Sequence, residues 1–271
     1  MPEPKNIPAT PKLQVVDAGF RSDAGCTREI NEDQAAVVQP SDYRLSQTKG
    51  TLAVVADGMG GHTAGEVASR IAIDVIGHSY YASDKPPAEA LTEAVIEANH
   101  AIHSAASNNG ELRGMGTTCT ALALVGDTAF HAHVGDSRLY LVRSARAYQL
   151  SEDHSLVAQL VRDGILTVDE ARGHPDRNVI LRALGRQPDV EVSCWDKPLP
   201  VNDGDRFVLC SDGLHDLVSD DEIARIASAS RSREACTKLI ALACERGAPD
   251  NVSVCVLAVH DEGPGSMGSA S

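Results

Sequence analysis

The sequence predicts an α+β domain in which one antiparallel β-sheet packs on another and helices cover the outside. Two observations point to this class. Short β-branched runs punctuated by Gly and Asp recur at residues 52–56, 117–125, 129–134, 138–142, 206–210 and 252–259. Helical patterns fall in consecutive blocks between groups of these runs rather than alternating with them one for one, which disfavours a doubly wound parallel sheet.

Taken in order, residues 1–11 are Pro-rich and are expected to form a flexible tail, as are the Gly/Ser-rich residues 261–271. No linker separates them, so residues 12–260 are expected to form one domain. After the strand at 52–56, Ala64, Val67, Ala68, Ile71 and Val75 share one helical face, and Leu91, Val95, Ala98 and Ile102 share another. Residues 156–188 are charged and broken by Gly164, Gly173 and Pro175, the pattern of a surface insertion. Ser219 and Glu222 form a capping box that opens a further helix. A last helix, around Ala235, Leu239 and Leu242, stops at Gly247.

The chain of 271 residues is 42% apolar, enough for a sizeable core. It carries 24 Lys and Arg against 38 Asp and Glu, a formal charge of −14. That charge repels phosphate backbones and anionic lipid, and no basic block offsets it, so neither nucleic acid nor a membrane surface is expected as partner. The best apolar run, 254–259, is far short of the roughly 18 residues that span a bilayer. Prolines at positions 2, 4 and 8 stand where a secretory signal needs an apolar stretch. The cysteines at 26, 119, 194, 210, 236, 244 and 255 form no C-x-x-C pair and mostly sit in apolar segments. Reduced core thiols, a cytoplasmic location and a monomer are expected.

Acidic residues recur where strands end. Asp57-Gly58, Asp136 after Gly135, and Asp212-Gly213 each follow a strand, and Asp250-Asn251 precedes one. A single Asp-Gly is more often a turn than a ligand. Four of these together with Glu32-Asp33 suggest carboxylates gathered at one sheet edge. Such a cluster needs cations to relieve its repulsion, and a donor set of hard oxygens without His or Cys suits Mg²⁺ or Mn²⁺ rather than zinc. An aspartate bridging two ions polarises a phosphoryl group and lowers the pKa of a bridging water.

Seven segments then fall in a known order: Arg28-Glu29-Ile30-Asn31-Glu32-Asp33, Asp57-Gly58-Met59-Gly60-Gly61-His62, Met115-Gly116-Thr117-Thr118, Val134-Gly135-Asp136-Ser137-Arg138, Asp153-His154-Ser155, Ser211-Asp212-Gly213-Leu214 and Asp250-Asn251. Over residues 13–260 the chain resembles the metal-dependent (type 2C) serine/threonine protein phosphatases, bacterial branch. The resemblance implies a central antiparallel β-sandwich with helices on both faces, and a flap over 156–188 beside the active site.

It also implies a site. Asp57 corresponds to the carboxylate bridging two ions, with the Gly58 carbonyl on one and Asp212 and Asp250 on the other. Glu32 and Asp33 lie beside the metals, and Asp136 with Asp212 corresponds to a third, weaker site. Arg28 corresponds to the phosphate-binding arginine. The expected cofactors are two Mn²⁺ or Mg²⁺ ions, and a bridging water or hydroxide would attack phosphorus directly. The expected substrates are phosphoserine and phosphothreonine proteins, among them a cognate serine/threonine kinase. Met59 replaces the histidine of eukaryotic members proposed to protonate the leaving oxygen; His62 is one substitute candidate, the alternatives being that it shapes the glycine loop and that metal-bound water serves as the acid.

The remaining motif residues read as structural. Thr117 and Thr118 suit backbone bonding, Asn251 the Asp250 loop, and His154 a hydrogen-bonding role. His131 and His133 alternate on one strand without a third ligand nearby. Ser211 lacks the Gly-x-Ser-x-Gly elbow of serine hydrolases. The alternative function is a non-catalytic relative that binds phosphoproteins or a kinase; loss of the carboxylates would mark it, and here they are present.

Overall fold

The computed structural model describes residues 14–60 and 64–261. The N-terminal tail expected over 1–11, the C-terminal one from residue 262 onward, and His62 lie outside the described residues. Two antiparallel sheets form the centre. The first is ordered β1 (Gln14–Asp23), β13 (Val252–Asp261), β12 (Arg206–Cys210), β8 (Arg138–Arg143) and β9 (Arg146–Gln149). The second is ordered β10 (Ser193–Cys194), β7 (Thr128–Val134), β6 (Cys119–Val125), β3 (Thr51–Ala56) and β2 (Gln34–Val38), with β11 (Leu199–Pro200) also paired to β7. A short ribbon of β4 (Gly58–Met59) and β5 (Gly116–Thr117) lies beyond the end of β3.

Side-chain alternation explains the layering. Along β13, Cys255, Leu257 and Val259 point between the sheets, where they meet Phe207 and Leu209 of β12 and Leu122, Leu124, Ala53 and Val55 of the second sheet. The intervening Val252, Val254 and Val256 point outward onto helices. Both faces of the strand are covered, so it reads as a continuous apolar run rather than an alternating one. Helices α6 (Asp212–His215), α7 (Asp220–Ala229) and α8 (Ser232–Glu245) cover the first sheet. Helices α2 (Ala64–Ala82) and α3 (Pro87–Asn108) cover the second, giving the four layers expected of an αββα sandwich.

The second helix pair differs from expectation in its facing. On α2 the fully buried stripe is Ala64, Ala68, Ala72, Ile76 and Tyr80, while Val67, Ile71 and Val75 are only half-buried on its flank. Alanines at every fourth position let the helix backbone lie close on the sheet, so the larger residues turn sideways. On α3, Leu91, Val95, Ala98 and Ile102 are buried as the pattern predicts. The capping box at Ser219 is formed, and the last helix ends near Gly247, whose φ of +95° suits glycine.

The charged segment after β9 carries α4 (Leu156–Arg162) and α5 (Val168–Arg172), and α1 (Tyr43–Thr48) lies before β3. It is pinned at its base by Leu156 N–H to Val179 O (2.8 Å) and Leu181 N–H to His154 O (2.7 Å). From Leu184 onward it stops being a surface insertion. Leu184 is fully buried and exchanges backbone bonds with Thr117, and Asn99 of α3 accepts from Gly185 N–H and donates to the Gln187 and Pro188 carbonyls. The cysteines also divide: Cys119, Cys210, Cys236 and Cys255 are core thiols, Cys244 is half-buried, and Cys26 and Cys194 are exposed. No helix among the described residues is long and apolar enough to cross a membrane.

Candidate active site

The ends of β3, β7 and β12 and the starts of β2 and β13 lie at one end of the sandwich, and each abuts a member of the acidic set. Asp57 follows β3, Asp136 follows β7, Asp212 opens α6 directly after β12, Asp250 precedes β13 and Asp33 precedes β2. The antiparallel register that pairs Gln34 with Ala56 and Cys210 with Val254 puts these ends together.

Asp57 is fixed by its backbone. Its N–H donates to Thr118 Oγ1 (2.9 Å), and its carbonyl accepts from Thr118 N–H (2.9 Å) and Thr117 Oγ1 (2.9 Å). Its carboxyl is pushed well above the ordinary range, first by burial and then by the charges of Asp33, Asp212, Asp136 and Asp250. Four carboxylates from four other chain segments thus converge on Asp57. Asp33 is buried and accepts from Ser211 Oγ (2.7 Å); burial, partly offset by that bond, raises its pKa to about 7. Asp136, also buried, is raised to about 7 by burial and by Asp212. Burial likewise raises Asp212, with His215 opposing.

Two other members are engaged with the protein. Asp250 Oδ2 accepts from Arg28 Nη2 (2.8 Å) and its Oδ1 from Asn251 N–H (2.9 Å). Glu32 Oε1 accepts from Gly65 N–H (3.1 Å) at the start of α2, and burial raises its pKa despite that bond and nearby Arg28. Gly58 is required where it stands, since a Cβ there would collide with the Gly65 and Glu32 carbonyls. Among the described residues, no three His, Cys, Asp or Glu side chains are already arranged as a complete metal-holding group. The donor chemistry nevertheless fits hard divalent cations. Asp136 Oδ1 and Asp212 Oδ1 are buried without a hydrogen-bond partner among the described residues, an arrangement costly for anions unless a cation compensates it.

Sequence reasoning missed several supporting residues. Asn251, expected to hold the Asp250 loop, also ties down the Arg28 segment: its Oδ1 accepts from Glu32 N–H (2.8 Å) and its Nδ2 donates to the Ala24 and Ile30 carbonyls (3.0 Å each). Ser211 also accepts from Ser253 N–H (2.9 Å), so its hydroxyl is committed at both ends. His215 follows Asp212 by one helical turn; its Nε2 lies 3.1 Å from Asp136 O and its Nδ1 3.4 Å from Asp216 Oδ1. The i, i+3 spacing in Asp212-Gly213-Leu214-His215 was the available signal. Arg138 grips Asp153 through Nε and Nη2 (3.1 and 2.7 Å).

The residues read as structural are so placed. His154 Nδ1 accepts from Gly135 N–H (3.0 Å), and burial depresses its pKa to about 3. His131 and His133 stack in the sandwich interior (5.6 Å between ring centroids), His131 against Trp195 (5.0 Å). Against burial, which raises it, the bond and charge of His215 hold the Asp216 carboxyl below its ordinary range, and Arg177 of the charged segment adds to that effect.

Comparison with known proteins bears on this arrangement. The model of the family described as protein phosphatase 2C matches residues 28–244. The serine/threonine protein phosphatase PstP of Mycobacterium tuberculosis is 39% identical over 245 residues, 89% of this chain but only 44% of that protein. The chain thus spans less than half the length of that relative. The serine/threonine phosphatase stp of Listeria innocua is 37% identical over 247 residues, covering 88% of this chain and 93% of the relative. Among solved structures, the catalytic domain of PstP in complex with 2 manganese ions superposes with a TM-score of 0.79 at 37% identity, covering 92% of this chain and all (100%) of that one.

Proposed function

Since the chain belongs to the protein phosphatase 2C family, we propose that it is a metal-dependent serine/threonine protein phosphatase whose catalytic domain occupies residues 12–260. The observation that carries the proposal is the meeting of Asp33, Asp136, Asp212 and Asp250 around Asp57, whose proton affinity all four raise, with two buried carboxylate oxygens unpartnered among the described residues. Asp57, the Gly58 carbonyl, Asp212 and Asp250 would hold two Mn²⁺ or Mg²⁺ ions, with Glu32 and Asp33 beside them and Asp136 joining Asp212 for a third. When bound, such ions neutralise the cluster, acidify water and polarise a phosphoryl group.

The chain's own side chains supply the rest. Arg28 is exposed and its guanidinium is shaped to grip two phosphoryl oxygens, so substrate would draw it from Asp250. Ser211 is not a nucleophile, because its hydroxyl is engaged by Asp33 and Ser253. Phosphorus would be attacked directly by water, without a phosphoenzyme. Met59 has no proton to give the leaving serine or threonine oxygen; His62 is one candidate donor. The segment bearing Arg177 borders the site and is suited to select phosphoproteins, a kinase partner included. A cytoplasmic place of action, supported by seven cysteines that form no disulfide, and a monomeric state belong to the proposal.

Purified protein is expected to release phosphate from a phosphothreonine peptide with Mn²⁺ and to stop when EDTA is added. Asp57→Asn is expected to abolish turnover. Release unaffected by chelation, or near-normal turnover in the variant, would refute the proposal.

A further inference from the structure

Cys26 and Cys244 are 218 residues apart in sequence but meet beside the segment that carries Arg28. Cys26 N–H donates to Ala248 O (2.9 Å), and its thiol lies 3.5 Å from the Cys244 carbonyl. Burial and then the charge of Asp23 raise the Cys244 thiol, and neighbouring Cys26 adds to that rise. Gly25 makes the approach possible. Its φ is +74°, and a Cβ there would collide with the Asp250 carbonyl, so the chain before Arg28 is pressed against the chain before β13. Cys26 is exposed and Cys244 half-buried, whereas Cys119, Cys210, Cys236 and Cys255 are sealed in the core.

We propose that Cys26 and Cys244 form a reversible disulfide within the chain on exposure to a peroxide, and that this bond turns the neighbouring site down. Cys26, the accessible thiol, attacks one peroxide oxygen as its thiolate; the O–O bond breaks, a sulfenic acid forms and the departing hydroxide takes a proton as water. Cys244 then attacks the sulfenyl sulfur, the S–O bond breaks, and the oxygen leaves as a second water with the Cys244 proton. Two thiols thereby give two electrons to one peroxide, and a dithiol restores them.

The bond has a mechanical consequence. A disulfide holds its sulfurs about 2.05 Å apart, well inside the separation of two thiols in non-bonded contact. Closing it draws the Cys26 segment onto the end of α8. Arg28 lies two residues beyond one cysteine and Asp250 six beyond the other, and the two are already paired at 2.8 Å. The bridge fastens that pair together, against the release of Arg28 that substrate binding requires. The bond itself does not depend on the phosphatase reading; only its effect on turnover does.

The test uses full-length reduced protein loaded with Mn²⁺, treated with a small excess of hydrogen peroxide, alkylated, digested and mapped by mass spectrometry. Phosphate release from a phosphothreonine peptide is followed in parallel. The expected result is a Cys26–Cys244 linked peptide from monomeric protein, with activity down by about tenfold, the scale of a sub-ångström misplacement of a substrate-binding group, and recovered with dithiothreitol. Cys26→Ser and Cys244→Ser should each match untreated wild type and keep that activity in peroxide. Cys26 recovered only as sulfinic acid, linked to Cys194 or joined to a second chain would overturn the inference. So would equal inactivation of both serine variants, or a bond that leaves turnover unchanged. Untreated protein that releases no phosphate counts against the function proposed above, not against the bond.

Discussion

At the scale of single residues, the position of Asp57 is decided by Thr118. The Thr118 hydroxyl accepts from Asp57 N–H and shares a 2.8 Å hydrogen bond with Ser137 Oγ, joining the residue that follows β3 to the segment that carries Asp136. Thr118→Val keeps the shape and removes the oxygen. It should cost about 1–3 kcal/mol in urea unfolding through the groups left unsatisfied, and lower phosphate release by about tenfold as Asp57 drifts. Thr118→Ser should restore both; a valine variant with full turnover would show that Asp57 is held by other means. The sequence made the carboxylates legible because Asp-Gly at a strand end is a local signal. It did not make Asn251, Ser211 or His215 legible, because their partners Glu32, Asp33 and Asp136 lie 219, 178 and 79 residues away.

Among the elements, α7 shows local chemistry sufficient to define a boundary. Ser219 N–H donates to Glu222 Oε2 (3.1 Å), and Glu222 also accepts from Arg246 Nη1 (2.7 Å) beyond the end of α8. Ser219→Ala is expected to lower unfolding free energy by about 1 kcal/mol while leaving phosphate release unchanged, since the helix start lies outside the acidic cluster. A matching loss of turnover would mean that α7 acts on the site. The buried strands β12, β8 and β13 were readable because both their faces are covered, so apolar residues run without interruption. Strands β1 and β2 were not. They lie at sheet edges, with Phe20 51% exposed, and Gln14, Asp17, Arg21, Ser22 and Asp23 break any apolar pattern in β1. The close packing of α8 on β1 at Gly19, where a Cβ would stand 2.5 Å from Arg233 N, is a tertiary fact with no local signature.

For the whole molecule, the β-sandwich brings remote strand ends together and also encloses histidines. Burial lowers His133 from an ordinary 6.5 to about 4 and drives His131, neither of whose ring nitrogens has a hydrogen-bond partner among the described residues, well below that range. A histidine that is harder to protonate when folded binds protons better after unfolding. Its contribution is therefore complete above about pH 6.5 and is lost as pH falls towards 4, on the order of 3 kcal/mol for His133. The raised carboxylates act in the opposite sense in metal-free protein, losing stability as pH rises from about 4 to 7. The histidine effect is therefore read as a difference between proteins. His131→Leu should be more stable than wild type at pH 7 by about 1–3 kcal/mol, and its advantage should widen at pH 4.5; a constant advantage would contradict the burial of a neutral ring. The sandwich class was legible from strand and helix grouping, whereas the facing of α2 was set by small residues that only the packed structure reveals.

On the proposed function, carboxylates from distant segments hold divalent ions at the end of the sandwich. Anomalous scattering from manganese-soaked crystals tests it most directly. Two strong peaks are predicted at Asp57, the Gly58 carbonyl, Asp212 and Asp250, with Arg28 released from Asp250. A map without manganese there, or with Asp57 turned away from Asp212, would contradict it.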